Sequence, residues 1–479
     1  MKTSSTSCLL IIGLIITFIG CKTAKVEKNN DQKSPNFIVI LTDDQGWNGT
    51  SVQMMDTNVQ SKSDYHQTPN VEKLANRGMR FSSAYASAPV CSPSRYSIQF
   101  GQTPARLKMI RVGMNTNHID HQSAFTIPKL LKSINSSYKT AHVGKWGIDV
   151  DPSELGYDLS DGITGNKEGG FNYKSNKNQW LNNIDQDPKK IFSTTQKAIA
   201  FIEKQAKSNT PFFLQVSHYA VHSDVMMRKQ TLEKYKNKEK GAYQKHVGFA
   251  AMTEDLDSGV GLLLDRVKDL GLENNTYIIY TSDNGAVPVM PPRSFYKQGS
   301  NTPLSRGKWD AMEGGIRVPF IICGPKIKAG VESKTSITFS DLLPTIIDLA
   351  GYKMPLREQI DGGSFKNILT NNGKGEVIRF SEGLVFHVPY ENAIALKRAH
   401  SAIIIDDFKL IKFHDNQELL LFNITKDLEE KNNLAQSHPH KTNTLEKALD
   451  SYLSKVKAPK WEPGITWKSK PIEKINSYH

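Results

Sequence analysis

The residues best suited to chemistry fall in a few short runs. In Ala88-Pro-Val-Cys-Ser-Pro-Ser-Arg95, Ser92 is a good helix N-cap and Pro93 fits the first helical position, where no N–H donor is needed. A short helix over 94–100 would then stop at Gly101. Cys91 would sit one residue before the cap, in the positive field of the helix dipole. That field favours an anion at residue 91, or a sulfate or phosphate lying beside it. Arg95 follows one helical turn on and can reach back to the same place. Asp43-Asp44 and Asp283-Asn284 each follow an apolar, β-rich run. Adjacent carboxylates at the end of a buried strand are costly unless a cation neutralises them, and hard oxygen donors suit Ca2+ better than zinc. Lys145, His218 and His222 also follow apolar runs, and the two histidines are open to a second reading as a zinc pair.

The elements that must position these groups are legible as alternating strands and helices. Residues 36–42, 138–143, 212–217, 277–282 and 318–323 are apolar and β-rich. Helical stretches lie at 71–78, 126–132 and 192–207. Another lies within 245–270, where Val260, Leu263, Leu264 and Val267 recur at helical spacing. The pattern predicts an α/β fold with a large, mostly parallel sheet flanked by helices. In such sheets ligands bind beyond the carboxyl ends of the strands. Asp43, Asp44, Lys145, His218, His222, Asp283 and Asn284 should therefore converge on one crevice. After about residue 375 the texture changes. Residues 401–413 and 418–423 read as antiparallel strands and 442–456 as a helix, a small C-terminal α+β subdomain.

The chain has 479 residues, 38% hydrophobic and 23% charged, an ordinary globular composition. Its formal net charge of +13 suits an anionic substrate or surface. It contains no basic helix with interleaved aromatics and no zinc-finger spacing, so nucleic acid is not expected as a partner. Lys2 and the apolar run Leu9–Ile19, too short to span a bilayer comfortably, form a signal-peptide pattern. The following Phe18-Ile-Gly-Cys21 resembles a bacterial lipobox, with cleavage before Cys21 and lipidation of that residue; a plain secretory signal is the alternative. The expected organisation is a lipoprotein signal over 1–20, a tether over 21–35, a catalytic domain over 36–375 and a C-terminal subdomain over 376–479. The protein would be exported and held at a membrane by its lipid. The four cysteines are Cys8, Cys21, Cys91 and Cys323, which leaves no structural disulfide unless Cys91 is used.

Cys-Ser-Pro-Ser-Arg over 91–95 resembles the Cys-x-Pro-x-Arg signature of the formylglycine-dependent (type I) sulfatases, within the alkaline phosphatase superfamily. The resemblance implies an alkaline phosphatase-like fold and removal of sulfate from a sulfated carbohydrate, polysaccharide-derived in type. It implies that a formylglycine-generating maturation enzyme oxidises Cys91 to 3-oxoalanine, whose hydrated aldehyde is the nucleophile. Asp43, Asp44, Asp283 and Asn284 match the family's calcium ligands, with residue 91 completing the sphere. Arg95 matches the arginine that holds the nucleophile, and Lys145, in Gly-Lys-Trp, the lysine that binds both formylglycine and sulfate. His222 and Lys308 match the pair that contacts sulfate and assists the leaving oxygen. Glu313-Gly-Gly-Ile-Arg-Val-Pro319 and Asp427-Leu-Glu-Glu-Lys-Asn-Asn-Leu434 also fit the family, so the likeness runs over about 35–456.

One position departs from it. The family reads Gly-Lys-Trp-His, and this chain has Gly147. Strand alternation places His142 on the face opposite Lys145, which leaves His118 and His121, in the loop after the helix that follows Cys91, as freer stand-ins. The departure keeps open a lipoprotein that binds sulfated glycans without cleaving them, and the motif equally fits a formylglycine-dependent phosphonate or phosphodiester hydrolase.

Overall fold

The computed structural model describes residues 33–171, 179–291, 300–352, 360–392 and 397–464. The signal, Cys8, Cys21 and nearly all of the tether lie outside the described residues, as does the chain beyond 464. At the centre of the fold is the strand Asn36–Thr42, buried along its whole length. It pairs in parallel with Phe212–Ser217 on one side and Thr276–Ser282 on the other. Burial on both faces explains why the run is continuously apolar rather than alternating. Lys139–Gly144 and Leu159–Ser160 extend the parallel block beyond Phe212–Ser217. On the other flank Phe320–Cys323 runs antiparallel to Thr276–Ser282, followed by Met79–Phe81 and Val331–Ser333. The result is an eight-stranded sheet, mostly parallel with one antiparallel insertion.

The central strand divides its side chains between two cores. Ile38 and Ile40 face the helices Ile191–Lys207 and Val247–Asp269, through Ala198, Ile202, Leu256 and Val260. Phe37, Val39 and Leu41 face the helices Cys91–Phe100, Ile127–Ile134 and Leu342–Leu349, through Ile98, Leu131 and Leu343. This is a helix–sheet–helix sandwich in which each layer buries one apolar stripe. From Ser34 onward the chain forms one compact unit.

The C-terminal part is a four-stranded antiparallel meander of Leu384–Val388, His400–Ile405, Phe408–Phe413 and Leu419–Asn423. The helix Pro439–Lys455 covers one face with Leu445, Leu449 and Tyr452. The other face lays Phe386, Ile411 and Phe422 on Met312 and Ile316, just after Lys308. Charges are buried at this seam. Lys409, with no exposed side-chain surface, stands 3.1 Å from Glu313 and 2.8 Å from Glu430, and Glu313 also pairs with Arg317 at 2.5 Å. The Glu313 backbone N–H donates to Glu430 at 2.8 Å.

His400 is fixed in one tautomer at the same seam. Its Nδ1–H donates to the Arg398 carbonyl at 2.8 Å, and its Nε2 accepts the Ala311 N–H at 3.0 Å. Burial pushes it down to about 3, although the Arg398 carbonyl opposes this. A histidine whose folded value lies below its unfolded value of about 6.5 loses stability as pH falls between the two, at about 1.4 kcal/mol per pH unit. Protonation at Nε2 would also displace the Ala311 N–H. The expected outcome is a thermal midpoint that drops less between pH 6.5 and pH 4 in His400→Gln than in wild type, measured by calorimetry across that range.

Candidate active site

The sheet hydrogen-bond ladder runs one residue past its strands and sets the polar groups at a common level. Asp43 N–H donates to Ala220 O (2.9 Å), Asp283 N–H to Thr42 O (3.0 Å), His218 N–H to Leu41 O (2.9 Å) and Lys145 N–H to Ser217 O (2.7 Å). The predicted convergence at the strand tips is thus built by the backbone itself. Cys91 arrives there from the opposite layer, but not as the cap propensities suggest. The helix begins at Cys91, its N-cap is Val90 without a side-chain bond, and Ser92 lies inside the first turn. Ser94 anchors the entry instead: its hydroxyl donates to Ala88 O at 2.8 Å and accepts from Ala88 N–H at 3.1 Å. Cys91 is still at the positive end of the dipole, and Gly101 ends the helix in the left-handed conformation at φ 64°.

Asp43, Cys91 and Asp283 each offer a ligand atom, and the three atoms lie within 4.8 Å of one another. Asp44 takes the left-handed conformation at φ 58°. Its N–H donates to Asp283 Oδ1 at 3.1 Å, and its Oδ1 accepts from Asn284 Nδ2 at 2.7 Å. Asp43 Oδ1 and Asn284 Oδ1 are left buried without a hydrogen-bond partner. Each aspartate has its own cation. Lys145 Nζ is 2.5 Å from Asp43, Lys308 Nζ is 2.7 Å from Asp44, and Arg95 Nη2 is 2.8 Å from Asp283. Arg95 also donates to the Lys145 carbonyl.

The pairing sets the protonation states. Burial works to raise Asp43, but Lys145, His222, Arg95 and Lys308 outweigh it and hold it below the usual carboxylate range. Burial and then the charge of Asp43 push Asp283 up, against Arg95. Burial works against the charge on Lys308, yet Asp44, above all, keeps it protonated. A carboxylate that raises the proton affinity of its neighbour Asp283, together with two orphaned hard oxygens, forms a donor set that fits Ca2+. A divalent cation there would favour the ionised form of Asp283.

His222 is buried on the rim. Its Nδ1–H donates to the Ser223 carbonyl, so Nε2 carries the lone pair. Nε2 lies 3.3 Å from Asn166 Nδ2 and 3.7 Å from Asp44 Oδ2. Burial lowers His222 to about 4, with Asp44 opposing. His218 shares only the backbone ladder. Burial lowers its ring to about 4, and the charge opposing that comes from Asp187. Neither histidine joins the metal-compatible cluster, which removes the zinc-pair reading.

Two site residues had no sequence signal. Asn166 meets His222 from a loop. Lys189, in the 3-10 turn Pro188–Lys190 that leads into Ile191–Lys207, is 2% exposed and donates to Ser223 O at 3.2 Å. Burial lowers it to about 8, while the charges of Asp43 and Asp224 oppose this.

The histidines near Gly147 in sequence are engaged elsewhere. His142 bonds Ser217 Oγ at 3.0 Å and packs edge-on to Trp146 at 4.6 Å, on the face opposite Lys145 as alternation requires. His118 bonds Leu107 O at 2.8 Å, and His121 lies 3.8 Å from Glu154 and stacks on Phe100. Gly147 itself is committed. It adopts φ 74°, and a Cβ there would stand 2.8 Å from Arg95 Cδ and 3.3 Å from Arg95 Nε, so the arginine fills the space a side chain would need. Gly147→Ala is expected to cost about 1–3 kcal/mol through left-handed strain and displacement of Arg95, as read from denaturant unfolding.

Comparison with known proteins gives this geometry its family. The Sulfatase family profile matches residues 35–352, and that of the N-sulphoglucosamine sulphohydrolase C-terminal region matches residues 308–459. N-acetylgalactosamine-6-sulfatase of Mus musculus is 31% identical over 363 residues, 68% of this chain and 65% of that enzyme. The chain thus aligns with just under two thirds of that relative's length. An ulvan-active sulfatase of Formosa agariphila is 27% identical over 497 residues, covering 96% of this chain and 88% of that one. The solved structure of Ps i-CgsB in complex with k-i-k-neocarrahexaose superposes with a TM-score of 0.71 at 25% identity, over 89% of this chain and 94% of that one. Fold, strand-tip site and profile agree, and the chain belongs to the sulfatase family.

Proposed function

We propose that this chain is a sulfuric ester hydrolase that releases sulfate from a sulfated carbohydrate. The reading follows from one observation: Cys91 at a helix mouth meets Asp43 and Asp283 at the strand tips, where Asp43, Asp44 and Asp283 are paired with the cations Lys145, Lys308 and Arg95. The names of the relatives in mouse and Formosa, one acting on an amino-sugar sulfate and one on ulvan, support a sugar substrate. Cys91 converted to 3-oxoalanine by a maturation enzyme, with Ca2+ held by Asp43, Asp44, residue 91, Asp283 and Asn284, would supply an oxygen nucleophile and a Lewis acid.

The remaining work falls to side chains already in place. Lys145 and Lys308 neutralise the sulfuryl oxygens, and being preorganised by Asp43 and Asp44 they need little rearrangement to do so. Arg95, locked on Asp283 and the Lys145 carbonyl, fixes the first turn that carries residue 91. His222, held by Ser223, presents Nε2 as the atom that can carry a proton to the departing oxygen. The proposal includes export and a lipid anchor at Cys21, with a tether over 21–35, a catalytic domain over 36–375 and a C-terminal subdomain over 376–479.

The test is free sulfate release from a panel of sulfated algal and glycosaminoglycan oligosaccharides, by enzyme co-produced with a formylglycine-generating partner. Release supports the reading and names the sugar. No release, with conversion of Cys91 and bound Ca2+ confirmed, would overturn it and make phosphodiesters the next substrates.

A further inference from the structure

Resting on the sulfate-ester reading above, we propose that Lys189 is a further substrate-contacting residue, a fourth cation of the anion-binding centre on its His222 side. Lys189 and His222 donate to the same oxygen, the Ser223 carbonyl, so the ammonium group lies beside the imidazole. The charges that bear on it include Asp43, Asp44 and Lys145, which places it within the field of the centre.

Its charge is left without an acid where those of its neighbours are not. Arg95, Lys145 and Lys308 each have a carboxylate within 3 Å. Among the described residues Lys189 has no carboxylate within 4 Å, and Ser223 O is its one hydrogen-bond acceptor, with two N–H donors unspent. A lysine kept for structure alone either pairs with an acid or runs its stem out to water. At 2% exposure this one does neither. Burying an ammonium group with unmet donors is costly, and a ligand that brings anionic oxygens removes the cost. The sulfuryl group is that ligand, with Lys189 reaching it beside His222.

The experiment is calorimetric titration of inorganic sulfate into the Ca2+-loaded protein, for wild type, Lys189→Met and Lys189→Arg, with thermal midpoints measured without sulfate. Loss of one charge-assisted hydrogen bond should weaken sulfate binding about 10-fold or more in Lys189→Met. Lys189→Arg should recover a large part of that loss. The midpoint of Lys189→Met should equal or exceed that of wild type, because an underpaired buried charge has gone. Sulfate affinity within twofold of wild type in Lys189→Met would overturn the proposal. So would a loss of affinity matched by a lower midpoint and not recovered by arginine. A wild-type protein that cleaves no sulfate ester, yet loses sulfate affinity on Lys189→Met, would sink the hydrolase reading and leave the assignment of Lys189 standing.

Discussion

Cys91→Ala, produced beside the maturation enzyme, releases sulfate at least about 10⁴-fold more slowly than wild type, the scale on which loss of a covalent nucleophile is felt. The fold survives, because the helix is entered through the Ser94 hydroxyl on Ala88 rather than through the thiol. Cys91 is 6% exposed, and alanine there removes one sulfur atom next to the aspartates without uncovering them. The check has two parts. Peptide mass analysis of the wild type must show the CH2–SH of residue 91 replaced by an aldehyde. Rates on the best substrate of the panel must then collapse in the variant while its thermal midpoint stays within a few degrees. A variant that retains a tenth of the rate would remove residue 91 from the chemistry.

Arg95→Met carries the second large effect, this time on stability. Arg95 and Asp283 are 1% and 0% exposed and joined by two contacts, at 2.8 and 2.9 Å. Removing one member of a buried pair leaves the other uncompensated, at about 3–5 kcal/mol. Here the abandoned partner is also a candidate calcium ligand, which gives the loss a signature. Bound Ca2+ would shoulder part of the Asp283 charge, so Arg95→Met should resemble wild type more closely in calcium and fall well below it in chelator. The comparison is the difference in thermal midpoint between the two proteins, with and without chelator. An equal difference in both conditions would show that Asp283 does not share a cation.

Much of this architecture can be read from the chain because buried parallel strands leave a plain trace. Residues 36–42, 212–217 and 277–282 are apolar without alternation, and each is followed by a polar residue that would be costly at that depth without a partner. Those two facts locate Asp43, Asp44, His218 and Asp283 before any fold is known. The errors have physical causes too. Ser92 has the better capping side chain, yet the backbone turns at Val90, because the hydroxyl that reaches the preceding loop is that of Ser94. His118 and His121 are near the nucleophile helix in sequence, but their loop is held to Leu107 and Glu154. Asn166 and Lys189 were invisible for the converse reason. Nothing local marks them, and only the tertiary approach of the segments around 166 and 189 to residues 222–223 brings them to His222. The buried Lys409, Glu313 and Glu430 are equally unmarked, since on a sequence each reads as an ordinary surface charge.

The same three charges govern when the protein can first work during its synthesis. Asp43, Cys91, Lys145 and Asp283 are all made before the ribosome reaches residue 300, but Lys308 leads directly into the segment whose Glu313 is neutralised by Lys409 and braced by Glu430. Until residue 409 has emerged, that glutamate has Arg317 but not its lysine, until residue 423 the Met312–Ile316 floor lacks its full sheet, and until residue 430 the brace is missing. A chain cut short before residue 430 therefore carries most of the reactive groups and lacks the complete seam that follows the remaining cation. Competence is therefore expected late in synthesis, once residue 430 has joined the seam.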